Sequence, residues 1–158
     1  MAFTLEEVRD QSIWDALILR EPWTPFTQSW SWGEFQKTQG HLVWRFVLQE
    51  DGEPLAACQL QQNRRSLGVS YLVGVRGPIF FAPAQSRLRE VFHAFLTELT
   101  RRDFPGYNLF FRFEPPVVAE IGKEIMPLRM VRTHAWSPAA TRRLDLRESE
   151  EVVLAGMH

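Results

Sequence analysis

The chain has 158 residues, of which 45% are hydrophobic and 23% charged. Those are globular proportions, and they exclude intrinsic disorder for the bulk of the chain. Lys and Arg number 18 against 19 Asp and Glu, so no overall charge draws it toward nucleic acid. A domain of this size buries roughly 70% of the surface its unfolded form exposes and needs no disulfide or metal to hold a core. Cys58 is the single cysteine, which rules out an internal disulfide framework and a thiolate metal cluster. The start, Met-Ala-Phe-Thr-Leu-Glu-Glu, lacks the basic and apolar regions of a signal peptide. No apolar run reaches the ~20 residues of a transmembrane helix. A cytoplasmic protein is the expectation.

Thr4-Leu5-Glu6-Glu7 has the Thr-x-x-Glu form of a capping box, and Val8, Ile13, Trp14, Leu17 and Ile18 continue a helical stripe to Leu19. Pro22 and Pro25 break the chain before a second helix over Trp30–Gln39, which Gly40 stops. Strand chemistry follows. Leu42, Trp44, Phe46 and Leu48 alternate with Val43, Arg45, Val47 and Gln49; Asp51-Gly52 turns the chain; Leu55–Asn63 runs back. On that second strand Ala56, Cys58 and Leu60 share one face, Gln59 and Gln61 the other. Val69–Val75 is a third strand, ended by Arg76-Gly77-Pro78.

Ala84–Arg102 is the clearest helix, with Leu88, Val91, Phe92, Phe95, Leu96 and Leu99 at 3- and 4-residue spacing. Pro105-Gly106 ends it, and Tyr107–Phe113 reads as a buried strand. A short helix over Val117–Ile125, an extended piece over Arg129–Arg132 and a last strand over Thr141–Leu146 complete the pattern. The fold class is α/β, of the α+β type: a single domain built on a mixed sheet of about six or seven strands. Glu148, Glu150 and Glu151 look like the acidic first turn of a new helix, whose apolar face Val152, Val153 and Met157 begin.

His41, His93, His134 and His158 share no metal-ligand spacing, so no metal site is expected. Cys58 lies mid-strand among small apolar residues and reads as a packed thiol. Gly68, Gly74 and Gly77 precede a proline, which lacks the N–H a phosphate cradle at a helix N-terminus needs. No coenzyme loop is expected. Trp30 and Trp32 read as helix packing or as a wall for a sugar or peptide. The most pointed segment is Phe110-Phe111-Arg112-Phe113-Glu114-Pro115-Pro116. Alternation puts Phe110, Arg112 and Glu114 on one face at a strand's carboxyl end, where open α/β sheets place ligands.

Four blocks resemble the FemABX family of peptidoglycan bridge-forming aminoacyltransferases. Phe26-Thr27-Gln28-Ser29-Trp30-Ser31-Trp32-Gly33-Glu34-Phe35 is similar to its early Q-S-x-x-W-x-x-F/L helix, and Gly74-Val75-Arg76-Gly77-Pro78-Ile79 to its (K/R)-G-P strand end. Leu109–Pro115 is similar to its R-(I/F)-(D/E)-P strand. Thr141–Leu146 through His158 is similar to the L-D-L-S-x-x-E-x-L-x-x-M approach to a basic helix. The resemblance implies a GNAT-like fold over residues 1–146, with 147–158 starting a helix toward a second such domain that this chain lacks. The isolated chain would then be inactive and would self-associate through an exposed domain interface.

The implied chemistry moves an aminoacyl group from charged tRNA to an amine on the stem peptide of a lipid- or nucleotide-linked cell-wall precursor, with no cofactor. By the resemblance Glu114 is catalytic, and Gln28, Trp32, Arg76 and Arg112 bind substrate. Gln36 falls near a precursor-binding lysine of some members, so that contact is not expected here. Two other readings stay open: an acetyl-coenzyme A-dependent N-acetyltransferase, which would need a Gly-rich helix-opening loop within Ile79–Ala84, and a non-catalytic binding module.

Overall fold

Alternation of apolar and polar residues over Val43–Glu50 and Glu53–Arg64, joined at Asp51-Gly52, produces the hairpin on which the molecule is organised. Asp51 and Gly52 both take positive φ, +49° and +85°, as a two-residue hairpin turn matching the strand twist requires. The computed structural model describes residues 2–116, 130–134, 136–138, 147 and 149–156. Among these, six strands form one sheet: β1 (Phe3–Glu7), β2 (Val43–Glu50), β3 (Glu53–Arg64), β4 (Val69–Gly74), β5 (Ile79–Phe80) and β6 (Tyr107–Phe113). Their order is β1-β2-β3-β4-β6, with β5 pairing a separate stretch of β3. All pairs are antiparallel except β4 and β6.

Among the described residues the α-helices are α1 (Gln11–Ile18), α2 (Trp30–Thr38), α3 (Leu88–Thr100) and α4 (Glu150–Ala155). The segment Thr4–Glu7 corrects the sequence expectation, since it is strand and not a helical capping box. Its Leu5 faces Leu48 in register with β2 and is buried, and that pairing outweighs a four-residue capping match. The helix starts later, where Asp10 Oδ1 accepts the Ile13 N–H at 3.1 Å. Gly40 ends α2 with φ +84°, as expected. A 3-10 turn over Ala82–Arg87, containing Pro83, leads into α3, so the regular helix begins four residues later than the periodicity suggests. Glu150 and Glu151 occupy the first turn of α4, and none of its residues is buried.

The two faces of the sheet differ in chemistry. On one, Phe46, Leu48, Ala56, Cys58, Leu60 and Leu72 meet Leu88, Val91, Phe92, Phe95 and Leu99 of α3 in a continuous apolar core. Phe113 places its ring 5.8 Å from Phe92 and 6.1 Å from Phe95, both edge-on. On the other face α1 covers Val47 and Ala57 through Trp14, Leu17 and Ile18. β6 is less buried than its sequence suggests, because only Phe111 and Phe113 turn toward the α3 core; Leu109 and Phe110 are half exposed.

Residues 130–132 carry no regular element, while Val117–Ile125 and Thr141–Leu146 lie outside the described residues. Phe95 is fully buried, so Phe95→Ala should lower stability by about 3–5 kcal/mol in urea unfolding. A loss below about 1 kcal/mol would place the α3 stripe outside the core.

Candidate functional site

β3 is longer than either of its partners on one edge. β4 pairs with Gln61–Arg64 and β5 with Ala56–Ala57, which leaves the edge between them without a strand. Gln28 fills this gap. Its Oε1 accepts the Gln59 N–H at 2.7 Å, and its Nε2 donates to Val75 O at 2.7 Å and Gln59 O at 3.4 Å. Its own carbonyl accepts the indole N–H of the buried Trp14 at 2.9 Å, and Gln28 has no exposed surface. Gln28 therefore positions a strand end from a wholly buried place, unlike the substrate contact that the resemblance implies.

The turn after β4 packs tightly on this plug. A Cβ at Gly74 would stand 2.6 Å from Cys58 Sγ, and one at Gly77 would stand 2.8 Å from Gln28 Nε2. Glycine at both positions is thus a demand of close packing and not of a phosphate cradle. Burial pushes the Cys58 thiol well up from its ordinary range, which leaves it a packing group. Arg76 follows with φ +54°, and the Gly77–Pro78 peptide is cis.

A second polar tie docks α2. Arg45 is 3% exposed; its Nε donates to Gln59 Oε1 at 2.8 Å and its Nη2 to Trp30 O at 2.9 Å and Glu34 Oε1 at 3.0 Å. The guanidinium lies 3.6 Å from the centre of the Trp30 ring. Gly33 lets α2 approach this closely, because a Cβ there would stand 2.2 Å from Gln59 Oε1. Arg45 and Gln59 were not singled out from sequence. Their signal was polar side chains on the otherwise apolar alternation of two paired strands.

Arg76, Arg112 and Glu114 converge at the carboxyl ends of the parallel pair β4 and β6. The Glu114 N–H donates to Gly77 O at 3.1 Å and Gly74 O at 3.3 Å, fixing the strand end to the turn. Its Oε1 accepts the Trp136 N–H at 2.7 Å and its Oε2 the Ser137 hydroxyl at 2.8 Å. Arg112 Nη2 lies 3.5 Å from Glu114 Oε1 and donates to His134 O. The Arg112 guanidinium stands 4.5 Å from the Trp136 ring, and its Nε is buried without a partner among the described residues. Arg76 donates to Pro138 O at 2.8 Å. Residues 134 and 136–138 thus lie over the pair of strand ends, a contact with no signal in the sequence because Glu114 and Trp136 are 22 positions apart.

Trp32 sits on the same sheet face but on α2, edge-on to Phe26 at 5.2 Å. It lines a crevice with Gln36, Gln61 and Val73, and Val73 pairs in register with Arg112. The structure therefore sets Trp32 on one side of β4 and Arg112 on the other. No group of three His, Cys, Asp or Glu among the described residues could hold a metal ion, and no described helix is long and apolar enough to cross a membrane.

Gln28→Leu should lower stability by about 2–5 kcal/mol in urea unfolding, because it strands the buried Gln59 N–H and Val75 carbonyl. Stability should also respond to acid. Hydrogen bonds from Lys37, then Arg45, hold the Glu34 carboxyl below its ordinary value. Arg87 does the same for Glu50, and Ser12 with the Ile13 N–H for Asp10. A carboxyl held low in the folded state contributes fully above its unfolded pKa, and that contribution is lost as pH falls. Tm should drop as pH falls from about 5 through and below the ordinary carboxylate range, and the drop should be smaller in Glu34→Gln.

No protein-family model matches the chain, and no curated protein does. Among solved structures, FemX matches with a TM-score of 0.51 at 20% identity, over 64% of this chain and 24% of FemX. AAC(6′)-Iy, in complex with a coenzyme A bisubstrate analogue, matches with a TM-score of 0.46 at 12% identity, over 85% of this chain and all of its own. The aminoglycoside 6′-N-acetyltransferase AAC(6′)-Ig from Acinetobacter haemolyticus matches with a TM-score of 0.43 at 11% identity, over 90% of this chain and 99% of its own. The match spans about a quarter of FemX, and at 20% identity it is a likeness of fold. The chain carries a mixed α/β domain of GNAT-like fold, of the kind found in FemX.

Proposed function

We propose that this domain forms one wall of an aminoacyl-transfer site of the FemABX type. The donor in this reading is a charged tRNA, and the acceptor is an amine on the stem peptide of a lipid- or nucleotide-linked peptidoglycan precursor. The convergence of Arg76, Arg112 and Glu114 at the carboxyl ends of β4 and β6 carries the reading, on a fold like that of FemX. The complete site is proposed to need a second domain, in keeping with the 24% of FemX that the match spans.

In the proposed step the amine nitrogen attacks the carbonyl carbon of the aminoacyl ester. A C–N bond forms, the ester C–O bond breaks, and the ribose oxygen leaves. Glu114 orients the incoming ammonium and takes a first proton, which passes to solvent and frees the nitrogen lone pair for attack; a second proton, lost from nitrogen as the amide forms, passes to the leaving ribose oxygen. A carboxylate has about four acceptor sites; Trp136 and Arg112 use two on Oε1, and Ser137 uses one on Oε2. Capacity for a substrate N–H is left.

The Trp136 and Ser137 hydrogen bonds favour a second reading, in which Glu114 anchors residues 136–137 over the sheet of a non-catalytic binding module. An acetyl-coenzyme A reading has less support. The approach to α3 is a 3-10 turn with Pro83, and the Arg87 guanidinium at its end pairs with Glu50. It supplies no glycine loop for a pyrophosphate.

Glu114→Gln in the full-length protein decides between the first two. A transfer assay with charged tRNA should show kcat falling by about 10²–10⁴-fold, with Tm nearly unchanged. If Tm falls while the rate per folded molecule stays constant, and Ser137→Ala does the same, Glu114 is an anchor. Binding of acetyl-coenzyme A in calorimetry would overturn the aminoacyl-transfer reading.

A further inference from the structure

At the end of the sheet away from Glu114, the turn that joins β3 to β4 presents a side chain that folding does not use. Leu67 is 98% exposed and takes φ +65°, and Gly68 after it takes φ +73°. Two successive left-handed residues are turn chemistry that glycine, asparagine or aspartate supplies at little cost. Leucine there carries backbone strain and leaves its whole apolar surface in water. An exposed leucine by itself means little. This one stands among matching groups.

Arg64 and Arg65 immediately precede the turn, and neither forms an ion pair among the described residues. No Asp or Glu occurs between Glu53 and Glu90. Tyr107, in register with Val69 at the start of β6, is 69% exposed beside the turn. Asp103 is the one acid in the loop leading to it, and Arg101 and Arg102 precede that acid. The whole end is held firmly. The Arg65 N–H donates to Val69 O at 2.8 Å across the turn. The buried Gln62 amide donates to Pro105 O at 2.6 Å and Asn108 Oδ1 at 2.9 Å, and the Ser70 hydroxyl to Asn108 Oδ1 at 2.7 Å. These ties fix the turn against the start of β6.

An aliphatic tip, a tyrosine beside it and unpaired arginines are groups that enter an anionic bilayer surface together. Leucine reaches the acyl boundary, tyrosine keeps its hydroxyl at the headgroups, and arginine meets lipid phosphates while its stem stays in apolar surroundings. An RNA would engage the arginines by charge and an aromatic ring by stacking, and would leave Leu67 in water.

We propose that the β3–β4 turn docks this protein on an anionic membrane surface, with Leu67 inserted, Tyr107 at headgroup level and Arg64 and Arg65 on lipid phosphates. The six residues of β4 then place the Arg76–Glu114 corner about 20 Å from the bilayer. Under the transfer reading above, and only under it, this selects the lipid-linked form of the acceptor. The docking itself does not rest on that reading.

The test is flotation of the full chain with vesicles of equal parts phosphatidylglycerol and phosphatidylcholine. The chain should float with these, not with phosphatidylcholine alone, and high salt should release it. Arg64→Gln and Arg65→Gln should each weaken binding about fivefold. Leu67→Gly should weaken it about tenfold or more, with Tm unchanged or raised, since glycine suits the φ of that position. Soluble glycerol phosphate should not displace the chain. Equal binding to both vesicles, or full binding by Leu67→Gly, would overturn the proposal. Displacement by glycerol phosphate would make the turn a phosphate site, and tight binding of single-stranded RNA without vesicle binding would make it a nucleic-acid surface; either result overturns the membrane assignment. Vesicle binding by a protein without transfer activity would keep the docking and remove the transfer reading. Transfer activity in a chain that ignores both vesicles would do the reverse.

Discussion

Where β4 leaves the edge of β3, the amide of Gln28 stands in for a strand. It accepts from the Gln59 N–H and donates to the Val75 carbonyl, as a neighbouring backbone would. A gap in a buried ladder otherwise leaves peptide groups unsatisfied, which a folded protein rarely tolerates. The plug lets β4 separate from β3 and allows Gly74 and Gly77 to close over Cys58. That closure sets the turn bearing Arg76 and presents the two carbonyls that receive the Glu114 N–H. The candidate site is in this sense built on one buried glutamine that itself touches none of its open surface.

The two faces of the sheet divide stability from chemistry. The α3 face is apolar from Phe46 to Phe113 and holds the molecule by burial and ring packing. The α2 face carries Arg45, Gln59, Gln61 and Arg112 on adjacent strands. Polar groups in such a layer must be paired, and Arg45, Gln59 and Gln28 pair with one another, with backbone or, for Arg45, with Glu34. Those ties hold α2 at a fixed height above the sheet. The crevice beside Trp32 and the Arg112–Glu114 corner are what this polar layer leaves open.

Residues 134 and 136–138 change the meaning of Glu114. An Arg-x-Glu at a strand end invites a picture of a charged pair facing a cleft. In the folded chain the ion pair is the longer contact, at 3.5 Å, and the shorter ones are to the Trp136 N–H and the Ser137 hydroxyl. Arg76 and Arg112 likewise spend hydrogen bonds on the carbonyls of Pro138 and His134. All three residues cited from their motifs are brought together, and each also holds this covering segment.

Local chemistry in the sequence was enough to determine the β2–β3 hairpin, the α3 stripe, the glycine stop of α2 and the face shared by Phe110, Arg112 and Glu114. Each follows from periodicity or turn residues, which act over a few positions. The motif blocks likewise indicated the fold type that the likeness to FemX shows. Tertiary structure alone decided the rest. Thr4–Glu7 became a strand because β2 offered it an edge. Gln28 went inside because β3 had a gap to fill, 31 positions away in the chain. Arg45 and Gln59 became a buried tie only when Gly33 let α2 come down on them. A side chain's partner across the fold leaves no periodic mark in the sequence, and such long-range pairings are what turned scattered polar residues into a site.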